Sequence, residues 1–383
     1  MRFQSRRIAD LVQSDIRAMT QECKEQGGIN LGQGICDTPP PSVLLDNLIP
    51  AVNNGYNSYT RFDGIQPLRE SLAAKVKRDS GLVLDPETNF VVTSGTTGAF
   101  TCIINALSDP GDRILMFEPY YGYHMNAAVL AGLEPVFVPT RGEDFSLDVD
   151  SLEKLAKGAR AIVVNTPSNP SGHVFSRQEL ETIAEICQRY DLLCITDEIY
   201  EYFLFDGYRH ISMATIPGMW ERTVTLAGFS KTFSITGWRI GYATGPDHLM
   251  LPIGIANDLY YACAPAPLQY AVARALDSLG PDFYSRLAEE HQQKRDLFCS
   301  TLARVGLTPH IPQGAYYVLA DVSKLGCRSS KEAAMYILDK ASIACVPGSA
   351  FFEEGRGEHL VRFCFGKDDS TLERACELLE QLK

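Results

Sequence analysis

The sequence predicts an α/β protein: a doubly wound, mostly parallel sheet in a large domain, with a smaller α+β domain built from the N- and C-terminal segments. Three observations lead there. Short apolar or β-branched runs at residues 90–93, 113–117, 135–138, 161–165, 192–196 and 224–227 alternate with helical periods, the pattern of a parallel sheet crossed over by helices. After Pro281 the alternation stops, and a long charged helix over 283–305 leads into shorter mixed segments. Finally, 383 residues exceed what one compact core of ordinary size holds, which suits two domains.

The elements follow in order. Residues 14–26 read as an amphipathic helix closed by Gly27-Gly28. A short strand and a turn with Gly32 and Gly34 precede Pro39-Pro40-Pro41, a semi-rigid connector that marks a crossing between domains. Residues 1–42 are therefore assigned to the small domain, 43–280 to the large one, and 281–383 to the small one again. Ser176 and Glu179 have the spacing of a capping box ahead of a helix over 180–190. Beyond the helix over 283–305, a helix near 330–341, an extended segment at 343–346, a strand at 360–365 and a last helix over 369–382 are expected.

Composition narrows the function. With 45% hydrophobic and 21% charged residues the chain has the balance of a water-soluble globular protein, and no apolar run reaches the length of a membrane span. The basic N-terminus is broken by charge before a signal-type apolar core develops, so a cytoplasmic protein is expected. The eleven cysteines are scattered without a C-x-x-C pair and the seven histidines without an H-x-x-x-H pair, so no metal site is expected. Cys187, Cys194, Cys345 and Cys364 sit in apolar runs and read as buried thiols. A net charge of −12 opposes nonspecific nucleic-acid binding.

In a doubly wound sheet, ligands collect at the carboxyl ends of the strands. The run at 90–93 leads into Ser94-Gly95-Thr96-Thr97-Gly98 and a helix. Free N–H groups, threonine hydroxyls and the positive helix end suit a phosphate there, although an ordinary strand-to-helix turn reads the same way. The run at 161–165 leads into a Pro- and Gly-rich turn in which Asn169 would face a ligand. The run at 192–196 ends on Asp197, a buried carboxylate that needs a partner: a protonated ring nitrogen, or an arginine or lysine. The run at 224–227 leads to Lys231, whose amine becomes a nucleophile when desolvated, and then to Arg239. Each feature alone is weak. Together they match pyridoxal 5′-phosphate, which offers an aldehyde to a lysine, a phosphate to a helix end and an arginine, and a pyridine nitrogen to an aspartate.

With NTPSNPSG at 165–172, TDEIY at 196–200, SKTFSITGWRIG at 230–241 and VRFCF at 361–365, the chain resembles the class I aminotransferases, fold type I pyridoxal-phosphate enzymes. It looks most like their kynurenine/glutamine transaminase branch. The resemblance implies that Lys231 bonds the cofactor and then moves the substrate α-proton, with Asp197 on the pyridinium nitrogen and Asn169 and Tyr200 on the phenolic oxygen. It assigns Tyr121 to the ring face and Gly95, Thr96, Thr97 and Arg239 to the phosphate. It implies a homodimer in which Tyr59 reaches the neighbouring subunit's phosphate, and it gives Arg362 and Gly34 to the substrate α-carboxylate.

Gly228 and Cys36 depart from the family pattern, which commonly has a phosphate-binding serine and a proline there. In dicarboxylate-specific members of the family that the chain resembles, the partner subunit supplies a second arginine from this region. Residues 259–265 contain none, so the resemblance implies a neutral or aromatic amino donor, while Tyr260 and Tyr261 read equally as interface packing. The reaction implied is ping-pong transfer of an amino group from an amino acid to a 2-oxo acid. A C–S β-lyase and an aminocyclopropane-carboxylate synthase-like enzyme start from the same α-proton removal. A non-enzymatic regulatory protein on this fold would need an added DNA-binding module, for which the roughly 40 residues ahead of the large domain are too few.

Overall fold

The computed structural model describes residues 3, 5–9, 11, 15–353 and 355–383. The first long helix runs Asp15–Gln26, and Ser14, its expected start, lies outside the described residues. After it come β1 (Ile29–Asn30) and then the strands of an eight-stranded sheet: β2 (Phe90–Ser94), β3 (Arg113–Glu118), β4 (Glu134–Arg141), β5 (Ser146–Leu147), β6 (Ala161–Asn165), β7 (Leu193–Asp197), β8 (Thr223–Gly228) and β9 (Ile240–Thr244). Their order is β2-β9-β8-β7-β6-β3-β4-β5. The pairs from β8 through β7, β6 and β3 to β4 are parallel, while β9 runs antiparallel between β2 and β8.

A parallel sheet needs both faces covered, and the alternation along its strands does this. Val163, Ile195 and Val224 meet one apolar layer together with Phe100 and Ile103 of helix Gly95–Leu107. Ile162, Val164 and Cys194 meet another, together with Leu180 and Ile183 of helix Arg177–Tyr190. The alternating pattern leaves out two strands of this sheet, the two-residue β5 at one edge and the antiparallel β9. Ahead of β9 the chain reverses through Thr236–Trp238, and Arg239 adopts a left-handed φ of 58°. Gly228 and Gly241 then let β8 and β9 approach closely: a Cβ on Gly228 would stand 3.1 Å from the Gly241 Cα.

The C-terminal part opens with helix Pro281–Arg304, two residues earlier than expected because proline suits the first turn of a helix. It then adds β10 (Thr308–His310), β11 (Tyr317–Asp321), helix Ser330–Ala341, β12 (Ile343–Ala344), β13 (Val346–Pro347) and β14 (Leu360–Cys364). The last helix ends at Leu379 and tightens into a 3-10 turn, Glu380–Leu382. Strands β10-β11-β14-β13 form an antiparallel sheet, and β1 pairs in parallel with β12. One core joins Met19, Cys23 and Leu31 to Leu338, Phe363 and Leu379, and also takes in Tyr200, Phe203 and Phe205 from beyond β7. Every cysteine is a free thiol, and Cys187, Cys194, Cys345 and Cys364 are buried. Among the described residues no helix is long and apolar enough to cross a membrane.

The capping box is present, and Glu179 does more than cap. Its carboxylate accepts from the Ser176 N–H at 2.8 Å and the Leu147 N–H at 3.0 Å, and lies 3.1 Å from His173 Nε2. Burial alone would raise its pKa; the His173 contact and the Ser176 donors outweigh this and hold it at about 2. A depressed carboxylate stabilises the fold above its unfolded pKa and loses that contribution as pH falls toward the folded value. Glu179→Ala is expected to cost about 1–2 kcal/mol at neutral pH. Thermal melts at several pH values check this: the gap from the parent should shrink between pH ~4 and ~2.

Candidate active site

Parallel register sets Asn165 beside Asp197 and Asp197 beside Leu226, so three loops emerge together at one edge of the sheet. The first carries Asn169 and the second Tyr200. The third carries Lys231, whose Nζ donates to the Gly34 carbonyl at 2.7 Å. Burial pushes the Lys231 pKa down, and the nearby Arg362 and Arg239 guanidiniums push it further. Its amine also lies 5.7 Å from the centre of the Tyr316 ring. A lysine so placed loses its proton more readily than one in water.

Asp197 is buried at the end of β7. One carboxylate oxygen accepts from the Ile199 N–H at 3.1 Å, and the other lies 3.1 Å from His124 Nε2. His124 belongs to helix Gly122–Ala131, which starts directly after Tyr121, and the His124 and Tyr121 rings meet edge to face at 5.1 Å. The Tyr200 hydroxyl is 2.9 Å from that of Tyr317, and burial drives its pKa well up, keeping it a neutral donor.

The start of helix Gly95–Leu107 forms a cup. Gly95 has a left-handed φ of 70°, and a Cβ there would stand 2.3 Å from Arg239 Nη2, so the guanidinium packs directly on the glycine backbone. The Ser94 side chain does not cap the helix, leaving its first N–H groups and the hydroxyls of Thr96 and Thr97 available. Gly228, where the sequence departs from the family pattern, is closely packed here: a Cβ would meet Thr96 Cγ2 at 3.2 Å and Ile240 O at 3.1 Å.

Arg362, in β14, is almost fully buried. Its Nη1 donates to Asn169 Oδ1 at 2.9 Å and its Nη2 to the Gly32 carbonyl at 2.5 Å, while the rings of Tyr317 and Phe351 lie 4.4 and 4.8 Å from it. Its Nε has no hydrogen-bond partner among the described residues. Gly34 packs against Tyr317 with no room for a Cβ. Cys36 sits in the same wall as a neutral thiol, pushed up to about 12 mainly by burial.

Lys231, Asp197, Asn169, Tyr200, Tyr121, Arg362 and Gly34 are thus linked through short contacts, and Gly95, Thr96, Thr97 and Arg239 form the cup. Tyr59 stands apart, 88% exposed on the outer surface. Sequence reasoning missed His124, Tyr316 and Tyr317. His124 had one usable signal, its place three residues after Tyr121 in the first turn of a helix; the two tyrosines had none.

The family model for aminotransferases of class I and II matches residues 26–379. Kynurenine–oxoglutarate transaminase 1 of Homo sapiens is 33% identical, with 100% of this chain and 98% of that protein covered. Among solved structures, the N-succinyldiaminopimelate aminotransferase from Mycobacterium tuberculosis matches with a TM-score of 0.96 at 36% identity, covering 99% of this chain and 100% of the other. An Escherichia coli protein with a methionine aminotransferase function matches at 0.95 and 29% identity, covering 99% of each.

Proposed function

The chain belongs to the class I and II aminotransferase family and is a transaminase, and from that premise we propose that it uses pyridoxal 5′-phosphate to move the amino group of a neutral or aromatic amino acid to a 2-oxo acid. The observation that carries this reading is Lys231: an amine with lowered pKa, donating to a backbone carbonyl, at the meeting point of the strand ends.

The residues fit the cofactor. The uncapped helix end and the Arg239 guanidinium over Gly95 suit a phosphate, and the buried Asp197 suits a protonated ring nitrogen. The Arg362 Nε, unpartnered among the described residues, suits an incoming carboxylate. When bound, pyridoxal phosphate supplies an aldehyde carbon open to amines and a ring that accepts the charge left when an α-proton departs. The rest is done by the chain. Lys231 Nζ is the amine that would bond the group and, once freed, would carry a proton to and from the substrate α-carbon. Asp197 would hold a positively charged ring nitrogen, Tyr121 would pack on the ring, and Asn169 and Tyr200 would bond its phenolic oxygen. Gly95, Thr96, Thr97 and Arg239 would hold the phosphate. Arg362 grips the α-carboxylate by exchanging its Gly32 contact for the ligand, with the Gly34 backbone alongside.

Donor class rests on residues 259–265, which offer Tyr260 and Tyr261 and no arginine for a second carboxylate. The name of its kynurenine-using relative supports the aromatic choice. We further assign residues 1–42 and 281–383 to a small domain and 43–280 to a large one, supported by the β1–β12 pairing. The arrangement we favour is a cytoplasmic homodimer. In its support, Leu251, Ile255 and Leu259 expose one apolar stripe on helix Asp247–Tyr261, beside the turn that carries Tyr59. That turn abuts the helix where Phe62 fills the space over Gly254.

A half-reaction panel tests the proposal. Single amino acids are added to cofactor-loaded enzyme and conversion of aldehyde to amine is followed by absorbance. Aromatic and neutral donors should convert it, and aspartate and glutamate at least ~10-fold more slowly, the discrimination expected when a charged group finds no partner. Pyruvate and ammonia released from a cysteine conjugate without any oxo acid, with no amine form accumulating, would overturn transfer in favour of elimination.

A further inference from the structure

Behind the turn that follows β7 lies a buried polar cluster that the proposed chemistry does not use. Glu198 and Glu201 alternate with Asp197 and Tyr200 but have different partners. The Glu198 carboxylate accepts from His210 Nε2 at 2.7 Å, Ser212 Oγ at 2.8 Å and Thr196 Oγ1 at 3.2 Å. Glu201 takes Lys75 Nζ at 2.8 Å. Lys75 is itself buried on helix Gln66–Ser80, 3.3 Å from Asp79, with the rings of Tyr202 and Tyr242 at 5.3 and 6.0 Å.

Burying charged groups is costly, and apolar side chains of similar volume commonly serve stability as well or better. A hydrogen-bonded polar cluster has a different effect, because directed bonds favour one arrangement: here they hold the Glu198 and Glu201 carboxylates, while His210 Nδ1 has no hydrogen-bond partner among the described residues. The backbone of the turn is already held in front, where the Glu198 N–H donates to Leu226 O at 2.9 Å and the Thr166 N–H to Asp197 O at 3.1 Å. Anchoring Glu198 and Glu201 from behind removes the remaining freedom of the turn to roll. That roll would swing Asp197 off a ring nitrogen and Tyr200 off the phenolic edge.

We propose that His210 and Lys75 are positioning residues, which through Glu198 and Glu201 set the direction of Asp197 and Tyr200 toward the cofactor. This rests on the reading that Asp197 and Tyr200 hold the cofactor, so the test includes Asp197→Asn. For each full-length variant two quantities are measured: the dissociation constant of pyridoxal phosphate, and the pH midpoint of the absorbance of the bound cofactor.

His210→Ala should raise the dissociation constant about tenfold and move the midpoint, the loss expected when a donor to a buried carboxylate goes. His210→Gln keeps a donor and should recover most of both. A His210→Ala protein that melts earlier, yet keeps both parental values, overturns the proposal and leaves a purely structural cluster. Should His210→Ala fail to fold, Ser212→Ala removes a single donor: a rise of about twofold or more supports the proposal, and an unchanged value overturns it. If Asp197→Asn moves neither quantity, the cofactor assignment fails and this inference with it. If it moves both while His210→Ala moves neither, only the positioning role fails.

Discussion

Lys231→Ala should lose at least ~10³-fold in kcat if, as proposed, the same atom makes the covalent attachment and carries the proton, since general-base loss alone is worth roughly 10²–10⁴. The cofactor-loaded parent should be yellow and lose its absorption band on treatment with borohydride; the variant should bind pyridoxal phosphate without any reducible link. Mass spectrometry after reduction gives the clearest reading: a covalent adduct on the parent and none on the variant. A reducible band that persists in Lys231→Ala would move the attachment to another lysine. The other near-site lysine, Lys367, has its Nζ 3.0 Å from Asp37, a paired charge less suited to attack.

Arg362→Ala should raise KM for every amino donor together, with kcat/KM falling roughly a hundredfold, the scale for truncating a buried, hydrogen-bonded charge. The cost has two parts. The substrate carboxylate loses the fork proposed for it, and Asn169 Oδ1 and Gly32 O lose the donors they have at 2.9 and 2.5 Å. Arg362→Lys separates them, since a lysine restores charge without two parallel donors, and should fall between parent and alanine variant. Measurement across four or five donors checks the assignment: a rise in KM confined to one of them would make Arg362 a side-chain contact.

Much of the fold and of the candidate site is legible in the amino-acid sequence, for a local reason. The Gly95 turn, Asp197, Lys231 and Arg239 each lie close to a strand end, and the parallel order of the strands that bear Asn169, Asp197 and Lys231 makes those ends meet. The mostly parallel sheet is likewise written in runs of apolar residues. The antiparallel β9 is not, since five residues carry no sign of direction; the turn Thr236–Trp238 and the left-handed Arg239 reverse the chain ahead of it.

What the chain order alone determined is therefore which chemical groups are present and which edge of the sheet they share. How they are tuned was decided by tertiary packing. Arg362 is held by Gly32, 330 residues away, and by Asn169, 193 away; Tyr200 meets Tyr317 across 117 residues, and Lys231 meets Gly34 across 197. The lowered pKa of Lys231 comes from burial, and burial is a property of everything packed around the amine. The packing of the Thr96 methyl over Gly228, and the His124 contact to Asp197, arise in the same way from elements that only folding brings together.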